Sequence, residues 1–193
     1  MTFYEYFKSF DDLNISGMGT GFAVGDQYFL TAFHVVGKKN YIFTNGKILK
    51  AKKVFCSPFF DLCVLKTERH GLPSFKLDFS VTQVGTRVHT LSYSFKAKSE
   101  INPLISEGII TSSRNSVYQA EGLMTENGFS GAPVIDSNTG KVIGLITSTL
   151  PINQSKNLST IITPVYTIEE ELKGLRVNTD RVKIKSSVVV VLN

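Results

Sequence analysis

The feature that most restricts the fold of this 193-residue chain is a series of short strand-like runs in two successive groups. The first group contains GTGFAVG, QYFLTA, NYIFT, KILKAKKVF and DLCVLKT, and the second contains GTRVHTLSY, SEGIITSS, SVYQAEGL, GAPVID, KVIGLITST and LSTIITPV. The stretch ERHGLPSFKLD at 68–78 lies between them and predicts a crossover. Strands that follow one another without intervening helices are typical of antiparallel barrels rather than of alternating βαβ folds. The sequence therefore predicts an all-β protein with two barrel-like units.

The two ends of the chain depart from this pattern. Phe3, Phe7 and Phe10 recur at helical spacing, and TIEEELKGL at 167–175 also predicts a short helix. RVKIKSSVVVVL at 181–192 predicts a final strand or hairpin, and Asn45-Gly46 predicts a tight turn between two strands. The predicted organisation is an N-terminal helix at 1–16, an N-terminal barrel at 17–78, a C-terminal barrel at 79–166, and a C-terminal helix and tail at 167–193.

Composition indicates an ordinary folded protein, with 42% hydrophobic and 19% charged residues. No apolar run approaches the about 20 residues that cross a bilayer, so we expect no contact with a membrane. The first residues, MTFYEYFKSFDDLN, carry acids and aromatics where a secretory signal has a basic start and a plain apolar stretch. We therefore expect an intracellular protein.

The net charge of +5 is concentrated in one segment. Residues 38–53 contain six lysines and no acid: Lys38, Lys39, Lys47, Lys50, Lys52 and Lys53. A local basic face attracts nucleic acid or an acidic partner. Lysines also protect an exposed strand edge from pairing with other chains, and this second explanation is the favoured one at the level of sequence.

Cys56 and Cys63 lie in CSPFFDLC. If the chain between them were extended, they would be about 23 Å apart at roughly 3.3 Å per residue, which is beyond the reach of a disulfide. A turn at Ser57-Pro58 would shorten this separation, but free thiols are the favoured prediction. Two cysteines without suitably spaced histidines do not predict a zinc site.

Three histidines are candidates for acid–base chemistry. His70 lies in the polar stretch ERHGLP, where we expect exposure to solvent, and His89 alternates with apolar residues as a strand residue does. His34 lies in FLTAFHVVG, where an apolar strand ends and a turn begins. A histidine at such a position has a fixed backbone and a ring that is free to face a cleft.

Asp61 is an acid within an otherwise apolar stretch, PFFDLCVLK. Burying a carboxylate is costly unless a hydrogen-bond donor meets it. An imidazole N–H is such a donor, and the contact would fix the tautomer of the histidine and stabilise its protonated form. The alternative is that Asp61 begins a strand and points to water.

Ser130 lies in TENGFSGAPVID, between Gly128 and Gly131 and ahead of a proline. A serine hydroxyl is a weak nucleophile unless a base removes its proton during attack. The N–H groups of Gly128 and Ser130 are candidates for binding a developing oxyanion, and Gly131 leaves space beside the hydroxyl.

GTGFAVGDQYFLTAFHVV, DLCVLK, SEGIITSS and NGFSGAPVID…GKVIGLITS together resemble the chymotrypsin-like (trypsin-fold) serine peptidases, and among them the HtrA-type and viral 3C-like serine proteases most closely. The resemblance covers roughly residues 17–166. It implies two six-stranded antiparallel β-barrels with the active site between them, and a catalytic triad of His34, Asp61 and Ser130. It further implies an oxyanion hole formed by Gly128 and Ser130.

The chain departs from this family pattern at several positions. Phe129 stands where the secreted digestive enzymes have an acid that pairs with a freed N-terminus, so we expect no activation by that route. Ile146 stands where viral relatives that cut after Gln or Glu commonly have a histidine, so we expect no such specificity.

The resemblance also implies a primary specificity pocket for a medium-sized apolar side chain, with Thr147 as a support for Asp61. Its expected walls are Leu123, Met124, Thr125, Ile146, Thr147, Ser148, Thr149, Ser159 and Thr160.

We therefore expect a serine endopeptidase that acts on protein or peptide substrates through an acyl-enzyme, without a metal or cofactor, in the cytoplasm of a bacterium or of a virus-infected host cell. Two alternatives remain open. One is a catalytically inactive protease-fold module that binds a protein partner. The other is a module that binds RNA through the lysines at 38–53, alone or together with proteolysis.

Overall fold

The computed structural model describes residues 15–97, 100–114, 116–151, 158–175 and 188–193. Within these ranges the chain forms twelve β-strands, two short 3-10 turns and one short α-helix. The N-terminal helix predicted at 1–16 lies outside the described residues, except for its last two positions. No helix among the described residues has the length and apolar character needed to span a bilayer.

The first barrel is closed by six antiparallel strands in the order β1-β12-β3-β4-β5-β2. The strands are β1 (Met18–Ala23), β2 (Tyr28–Thr31), β3 (Asn40–Thr44), β4 (Lys47–Ser57), β5 (Leu62–Lys66) and β12 (Val188–Leu192). The prediction of a first barrel limited to 17–78 is wrong, because β12 pairs with both β1 and β3. The final strand predicted from the sequence is therefore part of the barrel rather than of a separate tail.

β12 fits this position because its sequence is an unbroken apolar run, VVVVL. Val189 and Val191 join the main core, whereas Val190 and Leu192 pack in a second cluster with Met18. All five side chains of the strand are buried. A strand with both faces covered must be apolar at every position, which explains why this run shows no alternation.

The second barrel also has six antiparallel strands, in the order β10-β11-β8-β7-β6-β9. They are β6 (Arg87–Ala97), β7 (Glu100–Arg114), β8 (Val117–Glu121), β9 (Pro133–Asp136), β10 (Val142–Pro151) and β11 (Leu158–Pro164). The predicted architecture of two six-stranded antiparallel barrels is confirmed. A 3-10 turn (Val165–Ile168) and helix α1 (Glu169–Gly174) follow β11, as predicted for 167–175.

Part of the second barrel packs into the apolar core of the first barrel. Leu91, Ile135 and Leu145 of the second barrel belong to the same buried cluster as Phe22 and Leu65 of the first. The predicted crossover contributes to this cluster as well, through Leu72, Phe75 and Leu77. Because packed apolar cores resist deformation, the cleft between the barrels has a defined shape.

The hairpin between β3 and β4 turns at Asn45-Gly46, as predicted. Asn45 and Gly46 have φ values of 47° and 70°, and Thr44 pairs with Lys47 across the turn. These values match the tight hairpin turn that favours Asn-Gly.

The prediction of free thiols is wrong. Cys56 on β4 stands directly opposite Cys63 on β5, with their Cα atoms 4.1 Å apart, and the two form a disulfide. The estimate from an extended chain failed because residues 58–61 form a turn, in which the Asp61 N–H donates to the carbonyl of Pro58 (3.4 Å). This turn, which we call the aspartate turn, reverses the chain and brings the two sulfurs together.

Most of the lysines lie on β4. Lys47 and Lys50 lie in the part of β4 that pairs with β3, and Lys52 and Lys53 lie in the part that pairs with β5. Each part has a partner strand on one side, and protection of a strand edge stays a prediction.

Candidate active site

His34 lies in a 3-10 turn formed by Phe33–Val35, directly after β2 and Ala32. We call this the histidine turn. Its backbone is closed by the Val36 N–H, which donates to the carbonyl of Phe33 (3.0 Å). Val35 is buried, whereas the side chain of His34 is 48% exposed. The turn therefore anchors the backbone in the core and presents the imidazole to the cleft.

The carboxylate of Asp61 contacts His34 through both of its oxygens. Oδ1 accepts a hydrogen bond from the His34 backbone N–H (2.9 Å), and Oδ2 lies 2.7 Å from Nδ1 of the ring. With a proton on Nδ1, the other ring nitrogen, Nε2, is the one that accepts a proton from a nucleophile. The alternative that Asp61 only begins a strand and points to water is excluded by these contacts.

This pairing raises the pKa of His34 above its ordinary value of 6.5. The hydrogen bond with Asp61 is the largest cause, partial burial opposes it, and the charge of Asp61 adds to it. The protonated pair stabilises the fold fully below pH 6.5, and this contribution is lost as pH rises through the raised pKa. The neutral imidazole, which a general base requires, therefore predominates only above that raised pKa.

Asp61 has a positive φ of 50°, an uncommon conformation that aspartate and asparagine adopt more readily than most residues. The carbonyl of the preceding residue, Phe60, accepts a hydrogen bond from the Thr163 hydroxyl on β11 (2.7 Å). The aspartate turn of the first barrel is thus held in part by the second barrel.

Ser130 lies in the turn at 128–131, the serine turn, between two glycines with positive φ. Gly128 has a φ of 104° and Gly131 a φ of 85°. The Gly131 N–H donates to the carbonyl of Ile146 (2.7 Å), and the buried Phe129 anchors the turn in the second barrel. Among the described residues, no atom accepts a hydrogen bond from the N–H of Gly128 or of Ser130. These two donors are available to an oxyanion.

Backbone contacts bring the serine turn against the first barrel. The Thr20 N–H on β1 donates to the carbonyl of Ser130 (2.9 Å). A Cβ atom placed on Gly131 would lie 2.9 Å from the nitrogen of Ala32, and closer still to Thr20 and Thr31. Since Ala32 precedes the histidine turn, the packing that requires glycine at 131 also places Ser130 beside that turn.

A cavity of about 440 Å³ adjoins the serine turn. Of the predicted wall residues, four line it: Thr125, Ile146, Ser148 and Thr149. The remaining lining residues are Met18, Glu126, Asn127, Gly128, Phe129 and Ser130. Met18, on β1 of the first barrel, and the charged Glu126 line the cavity but were not among the predicted wall residues.

The other predicted wall residues lie outside this lining. Leu123 is buried in the core of the second barrel, where its carbonyl accepts from the Thr160 hydroxyl (3.5 Å). Ser159 is buried next to Thr160, and Met124 is 55% exposed. The Thr147 hydroxyl donates to the carbonyl of Ile161 (3.3 Å), so the expected support of Asp61 by Thr147 is not the contact this structure forms.

The other two histidines have structural surroundings. His89 lies in β6, as predicted, with Nδ1 3.1 Å from the Ser137 hydroxyl. His70 is not the exposed residue that the sequence suggested. Its Nδ1 accepts from the Leu72 N–H (3.0 Å), its ring packs on Phe29, and burial lowers its pKa.

Sequence reasoning missed the residues that support the candidate site. Asn193 follows β12, and its side-chain amide donates to the carbonyl of Val35 in the histidine turn (2.6 Å). The Thr20 hydroxyl donates to the carbonyl of Gly128 (2.6 Å). No sequence signal marks Asn193, because its role depends on the pairing of β12 with β1. Within the described residues, no cluster of His, Cys, Asp and Glu side chains has an arrangement that could hold a metal ion.

Residues 19–145 match the family described as Trypsin-like peptidase domain. The search of curated proteins found no match.

Among solved structures, the serine endoprotease from Yersinia pestis is similar, with 22% identity and a TM-score of 0.68 over 88% of this chain; this chain spans 61% of that protein. An inactive serine-to-alanine mutant of Rv3671c from M. tuberculosis H37Rv is also similar, with 21% identity, a TM-score of 0.66, and 86% and 84% of the two chains covered. A second inactive form of the Rv3671c protease matches with 22% identity and a TM-score of 0.65, over 81% of this chain and 82% of that one. The resemblance seen in the sequence is thereby confirmed, and the chain belongs to the family of trypsin-like peptidase domains.

Proposed function

We propose that this protein is a serine endopeptidase that hydrolyses peptide bonds through an acyl-enzyme intermediate. The observation that carries the proposal is the contact of Asp61 with both the backbone N–H and Nδ1 of His34 (2.9 and 2.7 Å), next to a serine turn with two available N–H donors. In this proposal Ser130 is the nucleophile, His34 the general base and acid, and Asp61 the residue that orients His34.

The first half of the reaction forms the acyl-enzyme. The Ser130 hydroxyl oxygen attacks the carbonyl carbon of the scissile bond while its proton passes to Nε2 of His34. The carbonyl oxygen becomes an oxyanion that accepts hydrogen bonds from the N–H groups of Gly128 and Ser130. When the C–N bond breaks, the leaving amine takes the proton from His34 and departs, which leaves the acyl group esterified to Ser130.

The second half repeats the steps with water in place of serine. His34 removes a proton from water, which attacks the ester carbonyl, and a second oxyanion forms at the same two N–H groups. The C–O bond to Ser130 then breaks, and Ser130 recovers its proton from His34. The enzyme returns to its starting state without any other group.

For the side chain on the acyl side of the cleaved bond, we propose a medium-sized apolar residue. Ile146 and Met18 supply apolar surface to the cavity beside Ser130, and Thr125, Ser148 and Thr149 add uncharged side chains to its lining. Glu126 also lines this cavity. The competing preference is therefore for a substrate with a basic side chain at the same position.

A second candidate function is the binding of RNA through the basic face. This face consists of Lys38, Lys39, Lys47, Lys50, Lys52, Lys53 and Lys66, and all seven lysines are exposed. Lys52 stands directly opposite Lys66, and Lys66 lies 5.5 Å from the centre of the Tyr28 ring. Like charges in directly opposed positions destabilise a sheet, and phosphate groups bound between them would relieve this repulsion.

We also propose that the protein acts in the cytoplasm.

We expect a fluorophosphonate probe to label the wild type and to fail completely with Ser130→Ala, because only an activated serine attacks the phosphorus atom. In-gel fluorescence measures the labelling. Ser137→Ala removes a serine outside the site and is the matched control, which should label as the wild type does. A wild type that stays unlabelled would mean that the fold serves as a catalytically inactive binding module.

We expect the rate of labelling to rise with pH along a limb whose pKa lies above 6.5, because the contact with Asp61 raises the pKa of His34. Asp61→Asn should move this limb to lower pH and slow the reaction by about 10⁴-fold. Asparagine suits this test, since it also tolerates the positive φ at position 61. A pH profile that is flat between pH 5 and 8 would rule out His34 as the base.

A peptide library varied at the acyl-side position, with fragments identified by mass spectrometry, should show cleavage after medium-sized apolar residues. Glu126→Gln should leave this preference unchanged, because the proposed contacts are apolar. Preferred cleavage after Lys or Arg that disappears in Glu126→Gln would contradict the proposal and assign the pocket to a cation.

Fluorescence anisotropy with a single-stranded RNA should show binding that weakens steeply between 50 and 200 mM salt, about as expected for release of counterions. Lys52→Glu and Lys66→Glu should weaken binding more than Lys76→Glu, which makes the same change of charge outside the basic face. An equal effect of all three changes, or no binding at low salt, would remove RNA binding from the proposal.

A further inference from the structure

Two buried threonines connect the barrels, one at the serine turn and one at the aspartate turn. On β1, the hydroxyl of Thr20 donates to the carbonyl of Gly128 in the serine turn (2.6 Å), and the backbone N–H of the same residue donates to the carbonyl of Ser130 (2.9 Å). The Thr20 side chain is fully buried. One residue of the first barrel thus holds both carbonyl groups that flank Phe129.

The second threonine makes the reciprocal contact. On β11, the hydroxyl of Thr163 donates to the carbonyl of Phe60 (2.7 Å), the residue that precedes Asp61. Thr163 is 5% exposed. Here a residue of the second barrel holds the aspartate turn of the first.

We propose that Thr20 and Thr163 are positioning residues for peptide-bond cleavage, Thr20 for the oxyanion donors and Thr163 for Asp61. The proposal rests on the serine endopeptidase function proposed above. Neither threonine is placed in contact with substrate. Each donates a hydrogen bond to a backbone carbonyl of the opposite barrel. The packing of the two barrels therefore also aligns the serine turn and the aspartate turn.

The need for Thr20 follows from the freedom of Gly128. Glycine populates both signs of φ at similar cost, so the peptide groups around Gly128 have no preferred orientation of their own. The two carbonyl groups that Thr20 holds belong to the peptide groups 128–129 and 130–131, which lie on either side of the peptide group that carries the Ser130 N–H. Fixing both neighbours limits rotation of the group between them, and with it the direction of the Ser130 N–H. The hydroxyl of Thr20 holds the Gly128 carbonyl on the side of β1, while its oxygen also accepts from the Tyr93 N–H (3.3 Å).

The need for Thr163 follows from the conformation of Asp61. This residue has a φ of 50° at the end of a turn whose own backbone hydrogen bond is long, at 3.4 Å. A non-glycine residue holds such a conformation only when its surroundings enforce it. The Thr163 hydroxyl fixes the peptide group between Phe60 and Asp61, and with it the direction in which the carboxylate meets His34.

The test compares Thr20→Val and Thr163→Val with Thr90→Val in the full chain. Thr90 is the matched control, since it is fully buried and its hydroxyl donates to the carbonyl of Pro133 (2.8 Å) between β6 and β9 of one barrel. All three variants lose the same kind of hydrogen bond, and thermal unfolding should show a similar fall in Tm. The maximal rate of reaction with the fluorophosphonate and the half-saturating probe concentration are measured separately.

We expect Thr20→Val to lower the maximal rate at least tenfold relative to Thr90→Val, with little change in the half-saturating concentration. The expected size follows from the sensitivity of catalysis to misplacement of groups by about 1 Å. Thr163→Val should lower the rate less, and should also shift the acid limb of the pH profile to lower pH, because a loosened Asp61 raises the pKa of His34 less. Thr20→Val should leave that limb in place.

Thr20→Ser and Thr163→Ser retain the hydroxyl and should restore the rate to within about threefold of the wild type. Thr20→Ala and Thr163→Ala lack the hydroxyl without adding a methyl group beside the carbonyl, and they replace the valine variants if those fail to fold. Rates for the hydroxyl-free variants that match Thr90→Val, or serine variants that do not recover, would overturn the proposal. In that case a labelled wild type would leave the endopeptidase function standing, whereas an unlabelled wild type would overturn both.

Discussion

The site depends on the close packing of the serine turn against the first barrel. Gly131 lies so near Thr20, Thr31 and Ala32 that no side chain fits at its position. Because the same contact joins the carbonyl of Ser130 to the N–H of Thr20 (2.9 Å), Ser130, the proposed nucleophile on the second barrel, lies beside the histidine turn of the first. The apolar cluster that joins Leu91, Ile135 and Leu145 to the core of the first barrel holds this arrangement, since packed interiors do not slide freely.

Hydrogen bonds in and around the three turns fix the positions of the proposed catalytic groups. Asp61 contacts the backbone and the ring of His34, which fixes the turn as well as the tautomer. Gly128 and Gly131 have positive φ values, and the N–H groups of Gly128 and Ser130 have no acceptor among the described residues. Supporting groups come from distant parts of the chain, such as Asn193, whose amide contacts the carbonyl of Val35 in the histidine turn.

The sequence was sufficient to predict the two barrels and the pairing of Asp61 with His34, because both leave local signals. Short apolar runs with turns between them indicate strands, and an acid within an otherwise apolar stretch, as at Asp61, indicates a hydrogen-bond partner. Contacts set by tertiary pairing left no such signal. The insertion of β12 between β1 and β3 and the disulfide of Cys56 with Cys63 both depend on register. Likewise, Thr20 and Thr163 are ordinary strand residues until the barrels dock.

The most direct test of the central claim is a crystal structure of the protein after reaction with a fluorophosphonate. We expect phosphorus bonded to the Ser130 oxygen, with the phosphoryl oxygen about 3 Å from the N–H groups of Gly128 and Ser130. We also expect Nε2 of His34 to lie within hydrogen-bonding distance of the Ser130 oxygen. An adduct on another residue, or a phosphoryl oxygen that faces solvent while His34 stays beyond reach of Ser130, would contradict the account.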